Sequence, residues 1–229
     1  MSDKAESWEP GPELAALLYT DFDGMAADPD DVISEGLDGG YAERSSALAA
    51  ILQDPGADAV GRFLACLALT RWADPVGYAT VTDAASSPGS VPWKGASYDR
   101  FRGVDDTFGL LAEAVGDSAD MVEERGTADG RLAAARALLS SADRVQLDRK
   151  VSALLRADLV TACLPEIRSA VERAIGALEA DRAVSFDLGL QVALMVQAAR
   201  RSDPGWADRA AARLTATEPG ERALRELAD

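Results

Sequence analysis

The chain has 229 residues, 48% apolar and 27% charged, which predicts a folded protein with one sizeable core rather than a disordered segment. Its 39 acids against 23 bases exclude a nucleic-acid backbone as ligand, because phosphates would be repelled. It contains no histidine, so the commonest general base, the usual activator of Ser or Cys and the usual transition-metal ligand are all missing.

In chain order, residues 1–11 read as a lead-in, and Pro12 with Glu13 opens a short helix carrying Leu14, Leu17 and Leu18. Asp21 to Asp31 is a polar loop. Pro29 starts a second short helix with Ile33 and Leu37 inward, ended by Gly39-Gly40. A helix from Tyr41 carries Leu48, Ile51 and Leu52 and stops at Asp54-Pro55-Gly56. Val60, Phe63, Leu64 and Leu67 then fall at i, i+3, i+4 and i+7, with Ala65, Cys66 and Leu69 covering the other side, the pattern of a central helix. Asp74-Pro75 breaks it, and a helix runs from Val76 towards Ala85. Ser86 to Ser97, with two prolines and two glycines, is a loop and a candidate subdomain boundary.

Beyond the loop, Val104, Phe108, Leu111 and Val115 define one helical face. Leu132, Ala135, Leu138 and Leu139 define the next, and Leu147, Val151, Leu154 and Leu155 a third. Pro165 opens a helix with Ile167, Val171, Ile175 and Leu178 on one stripe. Val184 to Val192 alternates like a strand, but its neighbours favour a buried helix. Helices after Asp203-Pro204 and Glu218-Pro219 close the chain. The sum is an all-α protein of about ten helices, read as one domain over 1–229 with its candidate break at 86–97.

No run of about 18 uninterrupted apolar residues is present, so no membrane span is expected. Met1 to Glu6 lacks the basic start and apolar middle of a secretion signal, which predicts a cytoplasmic address. Cys66 and Cys163 then read as buried thiols rather than a disulfide. Abundant alanine, with arginine in place of lysine, points to a high-GC bacterial genome.

Charge is distributed unevenly. The first sixty residues hold fourteen acids and two bases, about −12 of the total of −16. A localised acidic surface predicts a basic partner or a cation. The candidate residues are Asp21, Asp23, Asp28, Asp30, Asp31 and Glu35. A second candidate patch lies on the long loop, where Trp93, Tyr98 and Phe101 stand beside Lys94, Arg100 and Arg102, the residue types of interface hot spots. The competing reading of Trp72, Trp93 and Trp206 is that they cap the core.

Three resemblances bear on function. Asp54-Pro55-Gly56-Ala57, then Arg62, Ala65, Ala68 and Leu69, then Ala73-Asp74-Pro75 and a helix to Ala85, resemble a HEAT-type helical repeat. Echoes occur at Asp129-Gly130-Arg131 with Ala133 to Ala135, and at Asp203-Pro204-Gly205 with Arg209 and Ala210 to Ala212. That resemblance implies a HEAT-like or irregular helical-hairpin stack, an α-solenoid that binds another macromolecule. Asp21-Phe22-Asp23-Gly24 resembles the first motif of haloacid-dehalogenase-type phosphohydrolases. Gly116-Asp117-Ser118 with Asp120 resembles their late metal motif, and Thr80 or Thr82 and Lys94 fill the intervening ones. That resemblance implies an Asp21 nucleophile, an Asp23 acid/base, Mg²⁺ and a parallel sheet. Asp21 and Asp23 also begin like a calcium loop, but Met25 and Ala26 occupy its fifth and sixth positions.

The sequence therefore predicts a non-enzymatic protein-binding module, immunity- or inhibitor-like or a scaffold, that takes a basic protein partner through its acidic quarter. It needs no cofactor, nucleic acid or membrane. The alternative is the Mg²⁺-dependent phosphohydrolase built on Asp21 and Asp23.

Overall fold

A computed structural model of the chain describes residues 8–99 and 104–228, with Tyr98 and Asp99 as backbone alone. The described residues form thirteen α-helices: α1 (Pro12–Leu18), α2 (Pro29–Glu35), α3 (Tyr41–Gln53), α4 (Ala59–Arg71), α5 (Pro75–Ser86), α6 (Thr107–Asp117), α7 (Ala119–Arg125), α8 (Ala128–Ser141), α9 (Ala157–Ala162), α10 (Leu164–Glu179), α11 (Leu188–Ala199), α12 (Pro204–Ala216) and α13 (Glu221–Ala228). Three 3-10 turns lie at Gly36–Asp38, Pro88–Ser90 and Asp148–Leu154. The strands are two residues each, β1 (Tyr98–Asp99) and β2 (Val104–Asp105), paired antiparallel with Tyr98 opposite Asp105. The all-α class is therefore established, with more helices than ten.

Local chemistry fixes most helix starts. Proline opens α1, α2, α5 and α12, where its missing N–H is no loss. Asp58, Asp74, Asp187 and Asp203 accept the N–H of Val60, Val76, Leu190 and Trp206 and so cap α4, α5, α11 and α12. Gly39 and Gly126 adopt φ of 110° and 64°, a left-handed geometry that ends helical segments. The alternating stretch before α11 resolves by the same logic. Val184 and Phe186 lie in a loop, and the helix begins only at Leu188, where the Asp187 carboxylate accepts the N–H of Leu190.

Packing corrects the sequence reading in two places. The most buried face of α4 is Phe63, Ala65, Cys66, Ala68 and Leu69, while Leu64 and Leu67 are only partly buried. At its last turn α4 is crossed by the start of α5 almost backbone to backbone: a Cβ on Gly77 would stand 2.6 Å from the Thr70 nitrogen. The stripe Leu147, Val151 and Leu154 is buried, but from a 3-10 segment rather than an α-helix.

The helices lie in two neighbouring rows. In one, α4 packs on α6, α6 on the 3-10 segment 148–154, that segment on α11, and α11 on α13. In the other, α5 packs on α8, α8 on α10 and α10 on α12. One apolar cluster runs from Leu14 of α1 to Ala223 of α13. The loop after α5 carries Trp93 into that cluster, with ring centroids 5.8 Å from Phe63 and 6.4 Å from Phe108. Among the described residues no helix is long and apolar enough to cross a membrane.

Candidate functional site

The acidic quarter is built on α1 to α3, whose Leu14, Leu18, Val32, Ile33, Leu48 and Leu52 anchor it in the core. Between α1 and α2 the chain makes a tight turn. The Asp21 carboxylate accepts the N–H of Asp23 at 3.0 Å and of Met25 at 2.7 Å, and Gly24 supplies the left-handed residue at φ 86°. Arg44 of α3 clamps the turn from beneath. Its guanidinium donates to the carbonyls of Leu17, Thr20 and Asp21 at 2.7–2.8 Å and stacks on Phe22, 3.8 Å from the ring centroid. Burial pushes the Arg44 guanidinium down from its ordinary value, and Glu35, Glu43 and Asp21 push it back up. The Glu35 carboxylate accepts the N–H of Phe22.

This clamp has an electrostatic consequence. Between residues 8 and 60 there are twelve acids and one base, Arg44, and its donors point at carbonyls. Among the described residues, every ion pair uses an acid from Asp74 onward. Asp23, Asp28, Asp30, Asp31 and Glu35 are exposed on this face. Met25, at 66% exposure, sits at the tip of the acidic turn, and Trp8, at 39%, flanks α1. They are two of the three exposed large apolar side chains among the described residues, the third being Leu224. The acidic influence reaches α6: burial raises the Glu113 carboxyl above its ordinary range, Lys150 opposes this, and Asp117, Asp106 and Asp30 add to it.

Of the second sequence-derived patch, only the side chains of Trp93 and Lys94 are described. Trp93 is 2% exposed and packs inside the core, so the capping reading holds for it, as it does for the buried Trp72 and Trp206. The Tyr98 side chain, Arg100, Phe101 and Arg102 lie outside the described residues. Lys94 is exposed and borders a cleft with Arg144 and Phe186.

The motifs shared with the phosphohydrolases do not find that family's framework. No parallel sheet exists among the described residues. The Asp21 carboxylate is engaged in holding its own turn. Thr80 and Thr82 donate to carbonyls one turn back along α5, and Ser118 lies buried against the Tyr78 hydroxyl at 2.6 Å. Nor do the described residues contain any grouping of three or more Asp, Glu, Cys or His placed to hold a metal ion. Cys66 and Cys163 are both buried and unbridged.

Sequence reasoning passed over Arg44, Met25 and Trp8. The legible signal for Arg44 was its isolation, a single base among twelve acids. Met25 and Trp8 were each a large apolar residue set among acids and turn residues, outside any helical stripe. No family model, curated protein or solved structure matches the chain.

Proposed function

We propose that this chain is a non-enzymatic binding module for a basic protein, working through its acidic first quarter. In this reading it is an immunity- or inhibitor-like protein, or a scaffold, of a bacterial cytoplasm. Its framework is an irregular HEAT-like stack of helical hairpins. The observation that carries the proposal is the contrast in pairing: ion pairs begin at Asp74, while the acids of α1 to α3 stand without one among the described residues. A surface that leaves like charges unpaired raises association rates with a partner of opposite sign. Met25 and Trp8 supply apolar contact within the same field. The two-row arrangement, with α4–α5 and α11–α12 as paired neighbours, supports the hairpin-stack reading. The reduced, buried thiols fit a cytoplasmic address.

The test keeps α1 to α3, since their apolar faces belong to the core. A variant carrying Asp23→Asn, Asp28→Asn, Asp30→Asn, Asp31→Asn and Glu35→Gln is compared with the wild-type chain as bait in a host-cell lysate. The wild type is expected to retain a basic protein at 50 mM NaCl and release it at 500 mM, and the variant to retain none. Capture that ignores both salt and neutralisation overturns the proposal.

A further inference from the structure

We propose that the cleft between the start of α1 and the turn joining α3 to α4 is a socket for one arginine side chain of the basic partner. This inference rests on the acidic-surface reading above and specifies where that surface grips. The cleft holds about 280 Å³, at the lower end of ligand pockets and suited to a side chain rather than a cofactor. Pro12, Leu14 and Ile51 line its apolar part, and Trp8, Glu13 and Asp58 its polar part, with no base among the lining residues.

The polar part is held in place. The Trp8 indole donates to one Asp58 oxygen at 2.5 Å and its ring leans on Tyr19, with centroids 6.4 Å apart. The other Asp58 oxygen accepts the Val60 N–H at 2.9 Å, capping α4. Neither contact neutralises the carboxylate. The N-terminal ends of α1 and α4 face the cleft and oppose a cation, each with a partial charge of about +0.5. Glu13 and Asp58 together carry the larger and opposite charge. A guanidinium entering here lies over the Trp8 ring, directs its fork of donors to Glu13 and Asp58, and rests its methylene stem on Leu14 and Ile51.

The probe is a fluorescein-labelled nona-arginine peptide, titrated by anisotropy into the full chain at 50 mM NaCl. Asp58→Asn keeps the cap of α4 and removes the charge, Trp8→Ala removes the ring, and Asp31→Asn removes an equal charge outside the cleft. Affinity is expected to fall about tenfold in Trp8→Ala and in Asp58→Asn, and only about twofold in Asp31→Asn, which removes one charge of the distributed surface. The Trp8 indole N–H resonance, assigned by its loss in Trp8→Ala, is expected to shift on titration. Equal losses at Asp31 and Asp58 with an unmoved indole resonance overturn the socket and leave the acidic surface standing. No binding of the peptide to the wild-type chain overturns both.

Discussion

Gln191 shows how one side chain can hold distant parts of this fold together. It is fully buried in α11, where its oxygen accepts the N–H of Leu147 and Asp148 at 2.8 and 2.9 Å, and its amide donates to the carbonyls of Ala142 and Val145. Its place in the sequence, one polar residue between Leu190 and Val192, gives no hint of this, because partners more than forty residues away leave no local trace. Gln191→Leu leaves four backbone groups, three of them buried, without their partner. With about 1–3 kcal/mol for each fully stranded group and partial relaxation, the expected loss is about 3 kcal/mol in urea unfolding. A loss below about 1 kcal/mol would mean that water or a shifted loop replaces the amide. The thiols are inert for a related reason. Burial pushes Cys66 up to about 12 and Cys163 up to about 11, so little thiolate forms at pH 8. A thiol reagent at pH 8 should label neither in the native chain and both in guanidinium chloride. Rapid native labelling of either would contradict their burial.

Glu113 extends the residue-scale argument to pH. Its carboxyl is raised in the folded chain, chiefly by burial, so the folded state holds this proton more tightly than the unfolded state. That contribution favours folding below the unfolded value of about 4.5 and disappears as pH rises through the raised folded value. At neutral pH the ionised side chain therefore opposes folding. Glu113→Gln should raise the thermal midpoint at pH 7, with the difference from wild type vanishing near pH 4. Lys150 keeps Asp106 as a partner at 3.3 Å, so the substitution does not strand it. A lower midpoint at pH 7 would show that attraction to Lys150 outweighs burial and repulsion.

At the level of elements, the sequence was readable where punctuation is chemical. Asp-Pro pairs marked the starts of α5 and α12, and the stripe from Ile167 to Ile175 marked α10. The short helices α7 and α9 were missed because six or seven residues do not complete two turns of a periodic pattern and, unlike the equally short α1 and α2, neither opens on a proline. The central place of α4 was legible, but its leading stripe was not, because hydrophobicity ranks leucine above alanine and Leu64 and Leu67 are only partly buried, whereas a close crossing selects the smaller side chain. Gly77→Ala tests that crossing. The added methyl meets the backbone of Thr70 at 2.6 Å and of Leu69 at 2.8 Å, neither of which can rotate away. The gain in helix propensity, about 1 kcal/mol, should be exceeded by overpacking, for a net loss of about 1–3 kcal/mol and a thermal midpoint lower by several degrees. An unchanged midpoint would show that α5 slides along α4 at little cost.

Across the whole molecule, the total charge of −16 conceals two electrostatic regimes that composition alone revealed only as an imbalance. From α8 onward most acids are matched, among them Asp158 with Arg131, Asp143 with Arg173, Glu172 and Glu179 with Arg213, and Asp148 and Asp187 with Arg222, while Asp129, Asp181, Glu218 and Glu221 have no ion pair among the described residues. In α1 to α3 they are not: twelve acids share one described base, and its donors are directed at carbonyls. The imbalance is legible in the sequence, but the direction of the one base is not, because its clamp joins residues more than twenty positions apart, beyond the reach of local pattern. Salt should act on the two regimes with opposite sign. The screening length falls from about 30 Å at 0.01 M to about 8 Å at 0.15 M, which weakens repulsion across α1 to α3 and weakens attraction in the paired region. Hydrogen exchange followed by mass spectrometry at 10 and 150 mM NaCl should therefore show slower exchange of the amides of α1 and α2 at the higher salt. Those of α10 and α12 should be unchanged or slightly faster, since exposed pairs contribute little. Uniform slowing of every helix would point instead to a general salt effect on the folded chain. The acidic quarter would then be no less relaxed than the rest, and the pairing contrast would lose its energetic meaning.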